Sequence, residues 1–284
     1  MYSNFSRVMN EKYRIGLIGI FVLLVLLVIS AEYATTSAKD SDISSKAYLT
    51  DNSAKDASDP TDIKGQQPEE REPDKDVEDK NIGAADKDFN EWLKNTIVAI
   101  DPGHGGNDYG TYYEELKEKN ITLDISLKLG ELLDKSGVKV IFSREEDVNV
   151  ELKDRINMAN EAGADVFISV HVNGMEDNPE VHGSETLYFN TGKYDDAILD
   201  SEKLAHLVQK EMVEKLQTSD RGIIERPKLA VLRLAEVPAV IAELAYISNP
   251  SDRSKLESQE YRLKAAEALH DAIIEALRLK FENK

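Results

Sequence analysis

The sequence has 284 residues, of which 54 are acidic and 35 are basic, so the formal net charge is −19. This acidic balance argues against nucleic-acid binding, which requires a basic surface. The chain contains no cysteine, which excludes disulfides, thiol catalysis and cysteine metal ligands. Any metal ion must therefore be held by histidine, aspartate or glutamate.

An apolar segment follows a basic N-terminus. Residues Ile15–Ala31 carry no charge and are mostly Leu, Ile and Val, and Arg7, Lys12 and Arg14 precede them. We interpret residues 1–31 as a signal anchor or as a cleaved signal peptide. Positive charges before the apolar run predict that the rest of the chain is exported.

The next stretch, residues 32–95, has a different composition. It is rich in Asp, Glu, Lys, Ser and Ala and has almost no apolar periodicity. Such a segment cannot bury enough apolar surface to offset chain entropy, which predicts a disordered linker. A flexible chain of this length spans roughly 40–50 Å on average, as a tether or as a plain spacer.

Residues 96–284 are predicted to form one folded domain. Apolar strands alternate there with amphipathic helices, which indicates an α/β fold with a mainly parallel, helix-covered sheet. Among the strands, Ser184–Phe189 is more polar and is expected at an edge. The predicted strands are Ile97–Asp101, Val138–Ser143, Asp165–Val170, Ser184–Phe189, Leu229–Leu232 and Ala239–Leu244, and the predicted helices are Ile121–Leu133, Glu151–Glu161, Ser201–Gln217 and Gln259–Phe281.

Four polar residues stand at strand ends or at a helix start. His104 follows the first strand in D-P-G-H-G-G, His171 follows another strand, Glu243 lies inside an apolar run, and Glu118 opens a helix. The carboxyl ends of parallel strands meet at one edge, where ligands bind. Two histidines and two carboxylates there match a catalytic zinc site. A turn histidine without chemistry, and a glutamate favoured by the helix dipole, are the alternative interpretations of His104 and Glu118.

Five motifs span essentially the whole predicted domain: I-V-A-I-D-P-G-H-G-G, E-K-N-I-T-L, D-V-F-I-S-V-H-V-N, D-R-G-I-I and P-A-V-I-A-E-L-A-Y-I-S-N-P. Together they resemble the zinc-dependent N-acetylmuramoyl-L-alanine amidases of the amidase 3 type. The resemblance implies one Zn²⁺ per chain, held by His104, Glu118 and His171, with Glu243 as the catalytic residue. Glu118 has two near neighbours, Glu114 and Glu115.

The resemblance also implies a reaction and a fold. The expected reaction is hydrolysis of the amide bond between N-acetylmuramic acid and L-alanine of the peptidoglycan stem peptide. The expected fold is a twisted, mixed sheet flanked by helices. Asn173 and Arg221 are candidate substrate contacts, whereas Arg144 and Arg155 are expected to form structural ion pairs.

Two other functions are compatible with the same residues. One is a zinc peptidase that cuts within the stem peptide, and the other is a non-catalytic binding protein of the cell envelope. The expected partners are peptidoglycan, the cytoplasmic membrane through the N-terminal segment, and an unidentified regulatory protein. The catalytic domain is expected on the cell-wall side of the membrane, or secreted if the N-terminal segment is cleaved.

Overall fold

The structure is a computed structural model that describes residues 84–193 and 198–284. The predicted anchor or signal peptide, residues 1–31, and the predicted linker up to residue 83 lie outside the described residues. Within the described ranges, no helix is long and apolar enough to cross a membrane.

The helices and strands alternate along the chain. The helices are α1 (Ala84–Leu93), α2 (Glu118–Lys135), α3 (Leu152–Ala162), α4 (Ser201–Leu216), α5 (Ala230–Arg233), α6 (Pro250–Glu257) and α7 (Gln259–Glu282). The strands are β1 (Ile97–Pro102), β2 (Tyr112–Tyr113), β3 (Leu116–Lys117), β4 (Lys139–Phe142), β5 (Val166–Asn173), β6 (Ser184–Tyr188), β7 (Asp220–Glu225) and β8 (Ala239–Tyr246).

Six strands form one sheet in the order β4-β1-β5-β8-β6-β7. All neighbouring pairs are parallel except β6 with β8, which is antiparallel. The short strands β2 and β3 form a separate antiparallel hairpin immediately before α2. The sheet is therefore mixed and mainly parallel, which confirms the predicted α/β class.

Both faces of the sheet are covered, because successive side chains of each strand point to opposite sides. Val98 and Ile100 belong to the larger hydrophobic cluster, which includes side chains of α1, α2, α4 and α7. Ala99, Phe167 and Ile241 belong to the smaller cluster, formed with α3 and α5. His171 and Glu243 continue the alternation of Phe167 and Ile241, so they lie on the face of the smaller cluster.

Helix α1 corrects the predicted end of the linker. Phe89 and Leu93 are only 1% and 2% exposed, and the ring centroid of Phe89 lies 5.4 Å from that of Phe281 in α7. These apolar residues stand among charged ones and give a short amphipathic helix that packs on the core. The prediction of a linker reaching residue 95 is therefore wrong for its last residues.

Two strand predictions are also wrong. Ser184–Phe189 was expected at an edge, but β6 pairs with strands on both sides. Its polar residues are satisfied internally, since Ser184 Oγ donates to the Leu244 carbonyl oxygen and Thr186 Oγ1 donates to Gln209 Oε1. Leu229–Leu232 was expected to be a strand, but most of it belongs to the single-turn helix α5.

Candidate metal centre

The backbone after β1 brings His104 close to His171. His104 has a positive φ of 61°, which is uncommon for a residue with a side chain. A Cβ atom on Gly103 would lie 2.5 Å from Cε1 of His171, so the close approach of the loop to this ring requires glycine. The D-P-G-H-G-G segment therefore places the two imidazoles side by side, with ring centroids 4.9 Å apart.

Two buried arginines hold this loop in place through hydrogen bonds. Arg155 donates from Nη1 to Asp101 Oδ1 (2.7 Å) and from Nη2 to the His104 carbonyl oxygen (2.7 Å). Arg144 donates from Nη2 to the Gly103 carbonyl oxygen (2.9 Å). The predicted structural ion pair is confirmed for Arg155, whereas Arg144 acts mainly through backbone carbonyls.

His104, Glu118 and His171 form a cluster of metal-binding character. His104 Nε2 lies 3.2 Å from Glu118 Oε2, and His171 Nδ1 lies 2.9 Å from Glu118 Oε1. One ligand atom from each residue falls within 4.8 Å of the others. Glu118 is buried, whereas Glu114 and Glu115 are exposed, so the structure brings Glu118 to the two histidines. The three side chains could hold a divalent metal ion.

Neighbouring groups fix the orientation of this cluster. The backbone N–H groups of Thr111 and Val172 donate to the two Glu118 carboxylate oxygens at 2.7 and 2.9 Å. Nδ1 of His104 lies 2.8 Å from Asp108 Oδ2. Such a histidine–carboxylate contact orients the ring of many metal-binding histidines. The sequence analysis missed Asp108, although it lies only four residues after His104 in the same loop.

The cluster carries opposite charges in close contact. Burial opposes the charged form of Glu118, but hydrogen bonds from His104 and His171 more than offset it, and the pKa of Glu118 lies well below its ordinary value. Burial likewise opposes protonation of His171, but Glu118 raises the pKa of His171 to about 9. A metal ion that binds here must displace protons from the histidines.

Glu243 lies next to the cluster on a neighbouring strand. It is directly paired with His171 of β5 and with Glu185 of β6. Its Oε2 atom is buried and has no hydrogen-bond partner among the described residues. Burial, together with the charges of Glu118 and Glu185, raises the pKa of Glu243 to about 7. A carboxylate in this state can exchange a proton near neutral pH.

Asn173 and Arg221 are brought together by Glu185, a buried residue that the sequence analysis missed. Asn173 Nδ2 donates to Glu185 Oε1 at 2.9 Å, and Arg221 Nε donates to Glu185 Oε2 at 3.3 Å. The hydroxyl of Tyr246 also donates to Glu185 Oε2, at 3.1 Å. The two predicted substrate contacts therefore lie in one hydrogen-bonded group beside Glu243.

Two cavities meet at the cluster, and His104, Asp108 and His171 line both. The first, the aliphatic cavity, has a volume of about 610 Å³ and a wall that combines aliphatic side chains with polar ones such as Asp101 and Glu151. The second has a volume of about 460 Å³ and a polar wall. Residues of the aliphatic wall include Val150, Leu152, Val231 and Ile241, and the polar wall includes Thr111, Tyr112, Asn173, Glu176 and Glu243.

Comparison with known proteins gives the same family as the motifs. Residues 98–275 match the Amidase_3 family model, described as N-acetylmuramoyl-L-alanine amidase. The N-acetylmuramoyl-L-alanine amidase LytC of Bacillus subtilis is 38% identical over 190 residues. That match covers 66% of this chain but 37% of LytC, so the chain spans little more than a third of this relative's length.

Solved structures are similar over the same region. The crystal structure of an N-acetylmuramoyl-L-alanine amidase from Clostridium difficile 630 has a TM-score of 0.60 and 35% identity, and the match covers 64% of this chain and 97% of that one. The CwlD amidase from Clostridioides difficile, solved in complex with the GerS lipoprotein, has a TM-score of 0.59 and 29% identity over 65% of this chain and 99% of its own. Because the family match covers well over half of its length, the chain belongs to the N-acetylmuramoyl-L-alanine amidase family, as the motifs predicted.

Proposed function

We propose that this chain is a peptidoglycan hydrolase that cleaves the amide bond between N-acetylmuramic acid and L-alanine, with Zn²⁺ held by His104, Glu118 and His171. The observation that carries the proposal is the buried Oε2 atom of Glu243, which has no hydrogen-bond partner among the described residues and lies beside the cluster. A buried polar atom without a partner is rare, and a catalytic role is one of the reasons for which proteins retain one.

The donor set fits zinc. Two imidazoles and one carboxylate are a common ligand set of catalytic zinc sites, which keep a further position open for water. Asp108 engages Nδ1 of His104, which leaves Nε2 directed towards Glu118 and the centre of the cluster. Such a contact favours the tautomer and ring orientation that a metal ligand requires.

The proposed reaction assigns one proton-transfer residue. A zinc ion held by His104, Glu118 and His171 would polarise the scissile carbonyl and lower the pKa of a water molecule. Glu243 accepts a proton from the attacking water while the water oxygen bonds to the carbonyl carbon. The carbon–nitrogen bond then breaks, and Glu243 delivers the proton to the departing L-alanine nitrogen.

The surroundings of the domain are part of the same proposal. We assign residues 1–31 as a membrane anchor or a signal peptide and residues 32–83 as a tether, with the catalytic domain on the cell-wall side. An unidentified protein partner is proposed as a regulator, because the related CwlD amidase was solved in complex with the GerS lipoprotein.

Product analysis tests the reaction. The full chain, kept in detergent and loaded with zinc, is incubated with purified peptidoglycan, and the soluble products are identified by mass. We expect intact stem peptides that begin with a free L-alanine amine. Shortened peptides would instead favour the peptidase, and retention of the chain on peptidoglycan without any release would favour the binding protein.

A further inference from the structure

The hairpin beside the metal centre and the loop before it carry an unusual group of exposed aromatic residues. Tyr109, Tyr112 and Tyr113 fall within five positions and are 45%, 62% and 44% exposed. Large exposed apolar side chains next to a cleft indicate a binding surface. Resting on the proposed function, we propose that Tyr112 is a stacking platform for a sugar ring of the glycan strand.

Two of the three tyrosines are held by cations of the domain. Lys117 Nζ and Lys119 Nζ lie 4.6 and 4.7 Å from the ring centroid of Tyr109. The guanidinium carbon of Arg253 lies 3.5 Å from the ring centroid of Tyr113. Cations over aromatic faces are stabilising contacts, so these two rings fasten the segment to the domain.

Tyr112 is directed elsewhere. Consecutive residues of a strand point to opposite faces, so Tyr112 lies on the side opposite Tyr113. Among the described residues, the side chain of Tyr112 has no ring, cation or hydrogen-bond contact, and it lines the polar cavity together with Glu243 and the metal cluster. A sugar ring that stacks on Tyr112 would be a direct neighbour of the reacting bond.

The chemistry of this cavity suits a sugar better than an anionic peptide. The face of a pyranose ring presents C–H groups, which pack well on the electron-rich face of an aromatic ring. Its hydroxyl and acetamido groups need hydrogen-bond partners, which Asn173 and Glu176 offer in the same cavity. The carboxylate of Glu176 lines the polar cavity but not the aliphatic one, and it repels the carboxylates of a stem peptide but not an uncharged sugar.

The geometry of the reaction requires a sugar close to the metal centre. In the proposed substrate the scissile amide is joined to N-acetylmuramic acid through its lactyl group. The polar cavity contains Tyr112 and Glu243 together, so the sugar can rest on the tyrosine while the amide reaches the carboxylate. The aliphatic cavity, which His104 and His171 also line, is then left for the peptide.

Binding of a neutral oligosaccharide tests the platform without requiring catalysis. The probe is the tetrasaccharide of N-acetylglucosamine, titrated calorimetrically into the full zinc-loaded chain in detergent. We expect Tyr112→Ala to weaken binding by at least about fivefold, as loss of an aromatic contact and its buried area predicts, and Tyr112→Phe to stay within about twofold. Leu263→Ala, an exposed apolar position on α7, serves as the control and is expected to bind like the original chain.

Three results would overturn the inference. They are absence of tetrasaccharide binding to the original chain, equal affinity of Tyr112→Ala and the original chain, and a Tyr112→Ala defect confined to a free stem peptide. Thermal melts of both Tyr112 variants check that the fold is intact. The product assay separates this inference from the proposed function. Oligosaccharide binding through Tyr112 without amide cleavage would contradict only the proposed reaction. Amide cleavage together with unchanged oligosaccharide binding in Tyr112→Ala would contradict only the sugar platform.

Discussion

At the scale of single residues, Asp108 sets the orientation of the His104 ring. Its carboxylate lies 2.8 Å from Nδ1 of His104, and this contact lowers the pKa of Asp108 despite the opposing effect of burial. Asp108 is not a member of the proposed ligand set. Its effect on the metal should therefore be indirect, through the orientation and basicity of the histidine ring.

Replacing Asp108 with asparagine should weaken zinc binding by about 10- to 100-fold, the range usual for groups that orient a metal-binding histidine. Asp177→Asn is the matched control, because Asp177 is an exposed aspartate outside the cluster. Competition with a fluorescent zinc chelator measures both affinities. Equal zinc affinity of the Asp108→Asn variant and the control would show that Asp108 does not contribute to zinc binding.

At the scale of elements, α1 belongs to the domain that carries the site. Phe89 is almost fully buried, and its ring lies near those of Trp92 and Phe281. The guanidinium carbon of Arg278, a residue of α7, lies 4.2 Å from the Phe89 ring centroid. A truncation that begins at β1 would therefore expose part of the core.

Truncating Phe89 to alanine should lower the free energy of unfolding by about 3–5 kcal/mol, the usual cost of removing a buried phenylalanine ring. Asn90→Ala changes the next, exposed residue of the same helix and should alter stability by less than about 0.5 kcal/mol. Urea unfolding followed by circular dichroism compares the two variants. Similar unfolding midpoints would mean that α1 does not contribute to the core.

The sequence could predict the ends of the buried strands, because apolar runs closed by glycine or by a polar residue are local features. These runs place His104, His171 and Glu243 at one edge of the sheet. The sequence could not choose firmly among Glu114, Glu115 and Glu118, since that choice depends on how the hairpin folds back. It also could not find Glu185, whose three partners come from three other strands.

The wrong predictions for β6 and α5 have a common origin. The polar residues of β6 indicated a strand exposed to solvent, but they are buried and form hydrogen bonds with residues distant in sequence. The segment Leu229–Leu232 is too short to show whether its apolar residues repeat as in a strand or as in a helix. Tertiary contacts decide the position of β6 and the conformation of α5, and no local sequence pattern indicates those contacts.

At the scale of the whole molecule, the proposal joins a membrane or export segment, a tether and a catalytic domain. Deleting residues 32–83 should leave the activity of the purified chain on soluble peptidoglycan fragments unchanged, because the deletion ends before α1. The same deletion should reduce hydrolysis of the wall in cells, since the domain would be held close to the membrane. Replacing residues 32–83 with a Gly/Ser segment of equal length should restore it. Unchanged wall hydrolysis in cells carrying the deletion would contradict the tether.

The most direct measurement concerns Glu243 in the full zinc-loaded chain. Glu243→Gln keeps the size of the side chain but cannot accept a proton, so release of stem peptides from peptidoglycan should fall by at least about 100-fold, as expected for loss of a general base. Zinc content should stay at one ion per chain in the same variant, since Glu243 is not a proposed ligand. Full activity of Glu243→Gln would contradict the account, and loss of zinc together with activity would make Glu243 a ligand instead of the general base.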